Sequence, residues 1–288
     1  MKMMQDYIAL TKPRVTWLIL LSTAIGYYLG ALRVGWSAWT LIHCIVGTGL
    51  LASGTAALNQ WYERNADARM RRTQERPIPA GRVSARNAFV FGLLLIVLGT
   101  IELWLGANRL SALLGLFTVA SYLLAYTPLK QVSPHSTTVG AIPGAMPPLM
   151  GYAASAGFLN TEAWLLFAIL FLWQFPHFYA IAWMYREDYE RAGIRMLPVV
   201  EPDGASTARR IFWTSLALVP LSLMPSLFGL TGPIYLLGAQ LAGFAFAFFC
   251  CRVLEECSRQ RARQVLLASV IYLPVLYVFL VADRAIPA

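Results

Sequence analysis

Charge is what this sequence has least of. Only 13% of its 288 residues are Asp, Glu, Lys or Arg, against roughly a quarter in an ordinary soluble domain, and that shortage excludes a water-soluble globule. Acidic residues number 14 against 23 Lys and Arg, while 58% of the chain is hydrophobic. A nucleic-acid-binding domain would carry such a basic excess on a polar surface that is missing here, so no nucleic acid is expected as a partner. The four cysteines, Cys44, Cys250, Cys251 and Cys257, are too few for a disulfide framework and show no paired spacing for zinc.

What the chain does have is long apolar runs. A bilayer core takes about 20 apolar residues per helix, because every backbone amide must find its partner inside the segment. Stretches near 15–35, 38–58, 87–107, 110–127, 137–158, 163–183, 211–230, 232–252 and 265–283 meet that need. They predict an all-α polytopic membrane protein, a bundle of nine transmembrane helices forming one domain over 1–288. The first run follows Lys2, Lys12 and Arg14 but is too long for a signal peptide and lacks a cleavage site. With the N-terminus inside, all of the 23 Lys and Arg except Arg33, Arg109 and Arg284 fall on the cytoplasmic side. That positive-inside bias predicts a cytoplasmic N-terminus and an outside C-terminus in the cell (inner) membrane. The long polar loops, 59–86 and 184–210, lie on the same inner side, so chemistry is expected to face the cytoplasm.

The first long loop continues the second span as a helix through Asn59, Glu63 and Asp67. Residues four apart drift only about 40° around a helix and rise about 6 Å, so these three stack on one face. One amide oxygen and two carboxylates are hard ligands suited to Mg²⁺, which keeps its other positions for water and phosphate oxygens. Arg64, Arg69, Arg71, Arg72 and Arg76 follow at once, and guanidinium groups grip phosphate with paired bonds. The combination points to a magnesium-bound diphosphate. A second acidic group, Glu187 and Asp188, follows the sixth span; these two point about 100° apart on a helix, so one of them shares the metal, and Asp188 is favoured. Pro128 is expected to end the fourth span, leaving Lys130 as the lone cation of its loop, within reach of an anion between the acidic sites. Trp173, Phe175, Phe178, Tyr179 and Trp183 offer aromatic faces to a carbocation.

These residues, taken with the strings ALTKPR at 9–14, DARMRRT at 67–73 leading to Arg76-Pro77, PPLMGY at 147–152, WQFPHF at 173–178 and DYERAGIRMLP at 188–198, resemble the UbiA-type intramembrane prenyltransferases. Within that superfamily they are similar to the protohaem IX farnesyltransferases, or haem O synthases. The resemblance implies farnesyl diphosphate and protohaem IX as substrates, Mg²⁺ as cofactor, and a terminal oxidase or haem A synthase as assembly partner in the lipid bilayer. It also implies that Asn59, Glu63, Asp67 and Asp188 hold Mg²⁺-diphosphate, and that Arg72, Arg76 and Lys130 neutralise the leaving group. His177, Tyr189 and Trp173 would meet haem or the prenyl chain, with His177 as a contact to the haem iron; His43 and His135 rank below it. Three positions depart from the superfamily pattern: Glu63 stands where many members have Asp, and Tyr185 and Tyr189 stand where quinone-type relatives have two aspartates. The alternative within the superfamily is a prenyltransferase for another acceptor, a quinone precursor or a chlorophyll-type ring, and the tyrosines argue against the quinone precursor. An organic-anion transporter is the contrasting reading, but transporters bury polar sites at mid-membrane on broken helices, whereas the acidic groups here cluster at one face.

Overall fold

The computed structural model describes residues 2–283; Arg284 lies outside the described residues. Every element among the described residues is helical. In chain order they are α1 (Lys2–Leu10), α2 (Pro13–Val34), α3 (Ala38–Asp67), α4 (Ala85–Gly106), α5 (Arg109–Ala120), a π-helical segment (Ser121–Tyr126), α6 (Thr127–Val132), α7 (Ser136–Ala156), α8 (Thr161–Met184), α9 (Arg186–Arg191), α10 (Leu197–Val200), α11 (Ala205–Leu227), α12 (Pro233–Glu255) and α13 (Arg259–Ala282). Short polar residues start several of the helices by satisfying free backbone amides. Ser37 accepts from Thr40 N–H at 3.2 Å ahead of α3, Asn108 from Ser111 N–H at 2.9 Å ahead of α5, and Asn160 from Ala163 N–H at 3.1 Å ahead of α8.

Among the described residues eight helices are long and apolar enough to cross a membrane. The ninth expected span is α7, 21 residues long with Pro143, Pro147 and Pro148 inside it and most of its side chains buried. It falls outside those eight because it faces protein rather than lipid, so apolarity is not demanded of it. Its partner is α2, and the two backbones nearly touch. A Cβ on Gly26 would lie 2.0 Å from the Pro148 carbonyl oxygen, and one on Gly151 would lie 1.9 Å from that of Thr23. Small residues at such crossings are the usual way helices gain contact in lipid, where burial of apolar surface gives no drive.

Two features bring polar side chains to one end of the bundle. Helix α3 has 30 residues, so it is about 45 Å long and outruns a hydrocarbon layer of about 30 Å. Its last turns, carrying Asn59, Glu63 and Asp67, therefore emerge at the rim. The second feature corrects the expectation for Pro128, which does not end the fourth span: the helix runs from Arg109 to Val132. The π-helical segment widens by one residue, the Thr127 amide reaches back to the Tyr122 carbonyl, and Thr127 Oγ1 donates to the same oxygen at 2.8 Å. Pro128 then sits in the first turn of α6, where its missing N–H leaves no bond unmade.

At the far end the two other membrane carboxylates are paired. Glu162 meets Arg33 at 3.4 Å and Glu102 meets His43 at 2.6 Å.

Candidate active site at the rim of the bundle

The ladder expected on α3 forms and is buried: Asn59 and Glu63 are 3% exposed and Asp67 is fully covered. Each rung has a cationic partner. Lys130 donates to both Glu63 oxygens, at 3.1 and 3.4 Å, and Arg76 donates to Asp67 Oδ2 at 2.7 Å. The π-helical turn accounts for Lys130, because the extra residue turns the end of the fourth span and delivers the ammonium to α3.

Asn59 meets a residue that sequence reasoning had counted only as a topology charge. Lys12 Nζ donates to Asn59 Oδ1 at 3.0 Å, while Asn59 Nδ2 donates to Thr127 Oγ1 at 3.4 Å. Lys12 lies in the link between α1 and α2 with φ 48 and ψ 60, alone among the described non-glycine residues in having positive φ. That left-handed backbone costs a residue with a side chain roughly 1–2 kcal/mol, and here it aims the amine at the ladder. Burial, with the Arg76 guanidinium close by, pulls the Lys12 amine from 10.5 down to about 8. The available signal was the Lys12-Pro13 step, a cation immediately before the fixed start of a span.

The second acidic group sits across from the loop that follows the ladder. Asp188 is buried and Glu187 exposed, as the angle between them on a helix requires. Asp188 Oδ1 accepts from the Arg71 backbone N–H at 3.2 Å and from the Arg191 guanidinium. Thr73 Oγ1 folds the same loop back by donating to the Asp67 carbonyl at 2.9 Å. Tyr189, expected to meet haem or the prenyl chain, is packed among cations: Arg72 donates to its hydroxyl at 2.6 Å, and both Arg72 and Lys130 lie over its ring, at 4.7 and 5.7 Å.

Helix α8 carries the remaining expected residues. His177 Nδ1 lies 2.8 Å from Ser269 Oγ, whose own proton goes to the Leu266 carbonyl at 2.6 Å. With the proton on Nδ1, donated to Ser269 Oγ, the Nε2 lone pair is the ring's acceptor. Trp173 stacks on His177 with centroids 4.8 Å apart and donates Nε1–H to the Ser269 carbonyl at 2.8 Å. The other rings of the aromatic group are divided: Tyr179 accepts from Arg210 at 3.0 Å, Trp183 lies under Arg186 and Phe178 is exposed.

The residues fit a hard divalent cation by one direct observation. Asp67 Oδ1 is buried with no hydrogen-bond partner, an arrangement that is costly unless the oxygen has a ligand to meet. Among the described residues no three acidic, His or Cys side chains converge as a ready-made cage. Mg²⁺ does not require one, since it takes one or two carboxylates and completes its shell with water and phosphate oxygens. The surrounding Lys12, Arg72, Arg76 and Lys130 supply the positive charge that a phosphate-rich ligand would meet.

The chain is similar to known proteins over nearly its whole length. The chain is 58% identical over 98% of its length, and 99% of the relative's, to the protoheme IX farnesyltransferase of Solibacter usitatus. It is 47% identical, over 99% of its length and 94% of the relative's, to the protein of the same name from Koribacter versatilis. Among solved structures it shares its fold with a digeranylgeranylglyceryl phosphate synthase, at a TM-score of 0.82 and 16% identity over 98% of this chain and 99% of that one. It also shares the fold of a UbiA homologue from Archaeoglobus fulgidus bound to GPP and Mg²⁺, at a TM-score of 0.68 and 14% identity over 96% and 99% of the two chains. The model of the UbiA prenyltransferase family matches residues 19–274, the stretch that holds the ladder, Lys130 and α9, and the chain belongs to that family.

Proposed function

We propose that the chain transfers the farnesyl group of farnesyl diphosphate to a vinyl group of protohaem IX, giving haem O and diphosphate. The observation that carries the donor half is the buried, partnerless Asp67 Oδ1 inside a ring of cations. The acceptor half rests on the names of the relatives at 58% and 47% identity.

Asn59, Glu63 and Asp67, with Asp188 from the opposite side, are the residues to hold Mg²⁺. When bound, the metal neutralises charge on the diphosphate as a Lewis acid. Lys12, Arg72, Arg76 and Lys130 bind the phosphate oxygens and stand ready where negative charge grows as the allylic C–O bond breaks. Cations fixed beforehand need no rearrangement at that moment. The bond electrons leave on diphosphate; the vinyl π pair forms the new C–C bond; water adds to the carbon left positive beside the porphyrin and loses a proton. No protein nucleophile is needed. His177 Nε2 is the acceptor lone pair available to haem iron, and Trp173 holds that ring by stacking. The apolar bundle keeps water from the cation until the new bond has formed.

The N-terminus and the ladder face the cytoplasm and the C-terminus faces outside, in keeping with the distribution of Lys and Arg. The lipophilic product then passes within the membrane to a terminal oxidase or a haem A synthase. Incubating the purified protein with protohaem IX, farnesyl diphosphate and Mg²⁺ tests the proposal. Mass spectrometry is expected to show the hydroxyethylfarnesyl haem, and EDTA to abolish it. Prenylation of another acceptor with protohaem untouched would overturn the acceptor assignment.

A further inference from the structure

Three cations at the rim are already matched by a carboxylate: Arg76 by Asp67, Lys130 by Glu63 and Arg191 by Asp188. Arg72 differs. Among the described residues no carboxylate pairs with it, yet it is held on two sides by phenol rings. Its guanidinium lies 4.8 Å from the Tyr185 centroid and 4.7 Å from that of Tyr189, and it donates to Tyr189 Oη at 2.6 Å. The ring of Tyr189 also has Lys130 at 5.7 Å, and Lys130 in turn lies 6.0 Å from the Tyr126 centroid. All four separations fall within the roughly 6 Å over which a cation is drawn to an aromatic ring.

The chemistry of the holder matters here. A carboxylate fixes a guanidinium and cancels its charge, whereas a phenol fixes it and leaves the charge intact. Tyr189 is buried, at 5% exposure, while Arg72 is exposed, so the rack is rigid and the cation it presents remains open to a ligand. We propose that Tyr189 is a positioning residue of the donor side: with Tyr185 and Tyr126 it forms an aromatic rack that orients Arg72 and Lys130 toward diphosphate without neutralising Arg72. This rests on the reading that the site receives a diphosphate, and it gives Tyr189 a role beside the diphosphate rather than the contact with haem or the prenyl chain expected from the sequence.

Two measurements on the full-length protein in detergent test the rack. In the first, Mn²⁺ with inorganic pyrophosphate is titrated into wild type, Tyr189→Phe, Tyr189→Leu and Tyr185→Leu. Losing ring and hydroxyl together in Tyr189→Leu is expected to weaken pyrophosphate binding by about tenfold or more. Tyr189→Phe, which keeps both ring faces, is expected to retain most of the affinity, and Tyr185→Leu, at a half-buried ring, to fall between them. In the second, steady-state turnover of Tyr189→Leu is expected to show a raised KM for farnesyl diphosphate and an unchanged KM for protohaem. Wild-type pyrophosphate affinity in Tyr189→Leu, or a raised KM for protohaem alone, overturns the rack while leaving the diphosphate site standing. Failure of the wild type itself to bind Mn²⁺ with pyrophosphate overturns both.

Discussion

At the scale of single residues the site pairs Asp67 with Arg76, Glu63 with Lys130 and Asp188 with Arg191, and two of its atoms stand out: the buried Asp67 Oδ1, which has no partner, and the Lys12 amine, drawn to about 8. A base whose pKa falls from 10.5 to about 8 on folding binds fewer protons in the native chain than in the unfolded one between those values, so this residue's contribution to stability improves as pH rises through that window. Diphosphate makes the opposite demand, because an anion favours the protonated amine. Binding near pH 8 is therefore expected to take up a fraction of a proton and to weaken as pH rises further. Calorimetry in buffers of different ionisation enthalpy reads that uptake, and Lys12→Arg, charged throughout, is expected to abolish it. Uptake undiminished in that variant contradicts the role given to Lys12. The ladder was legible in the sequence because helical spacing alone stacks Asn59, Glu63 and Asp67. Lys12 was not, because its contact with Asn59 spans 47 positions and depends on a left-handed backbone that no local pattern announces.

At the scale of elements, the rim is built by helices that do not end where apolar sequence ends. Helix α3 runs on past the hydrocarbon and carries the ladder out with it. The fourth span runs on through Pro128, and here sequence reasoning misplaced the end: a proline inside a helix normally removes a bond to the fourth residue back, but the π-helical segment shifts the pattern so that the bond is not needed. Such single-turn bulges amount to one inserted residue, and this one sets the rotation of Lys130. Leu124, within the bulge, is 78% exposed, so its side chain contributes little packing. Deleting Leu124 is expected to restore regular helix with Lys130 close to its present rotation, whereas adding one alanine after Leu124 is expected to turn everything after it by about 100°, carrying Lys130 away from Glu63. Circular dichroism is expected to report an unchanged helix content in the insertion variant, with its pyrophosphate binding lost; binding at wild-type strength there would show that the rotation of this segment does not position Lys130.

At the scale of the whole molecule, the membrane class, the spans and the rim that carries the acidic residues were readable because hydrocarbon imposes length and apolarity on each helix. Helix α7 shows the limit of that signal: shielded from lipid by α2 and its other neighbours, it is free to hold three prolines. Less legible was how the segments meet. The α1–α2 link, the end of α3, the turn before α6, the loop after Asp67 and α9 converge on one rim, and only the folded chain joins Lys12 to Asn59, Lys130 to Glu63 and Arg72 to Tyr189. The fate of Tyr189 follows from that convergence, since its neighbours come from segments 117 and 59 positions away.

The central claim is that these segments form one site in which Asp67 holds a divalent ion together with diphosphate. The most direct measurement is Mn²⁺ binding by electron paramagnetic resonance, with inorganic pyrophosphate present, to the wild-type protein and to Asp67→Asn, a change that keeps the shape of the side chain. Wild type is expected to bind the ion and the variant to lose it while remaining folded. Equal binding by the two proteins would contradict the account.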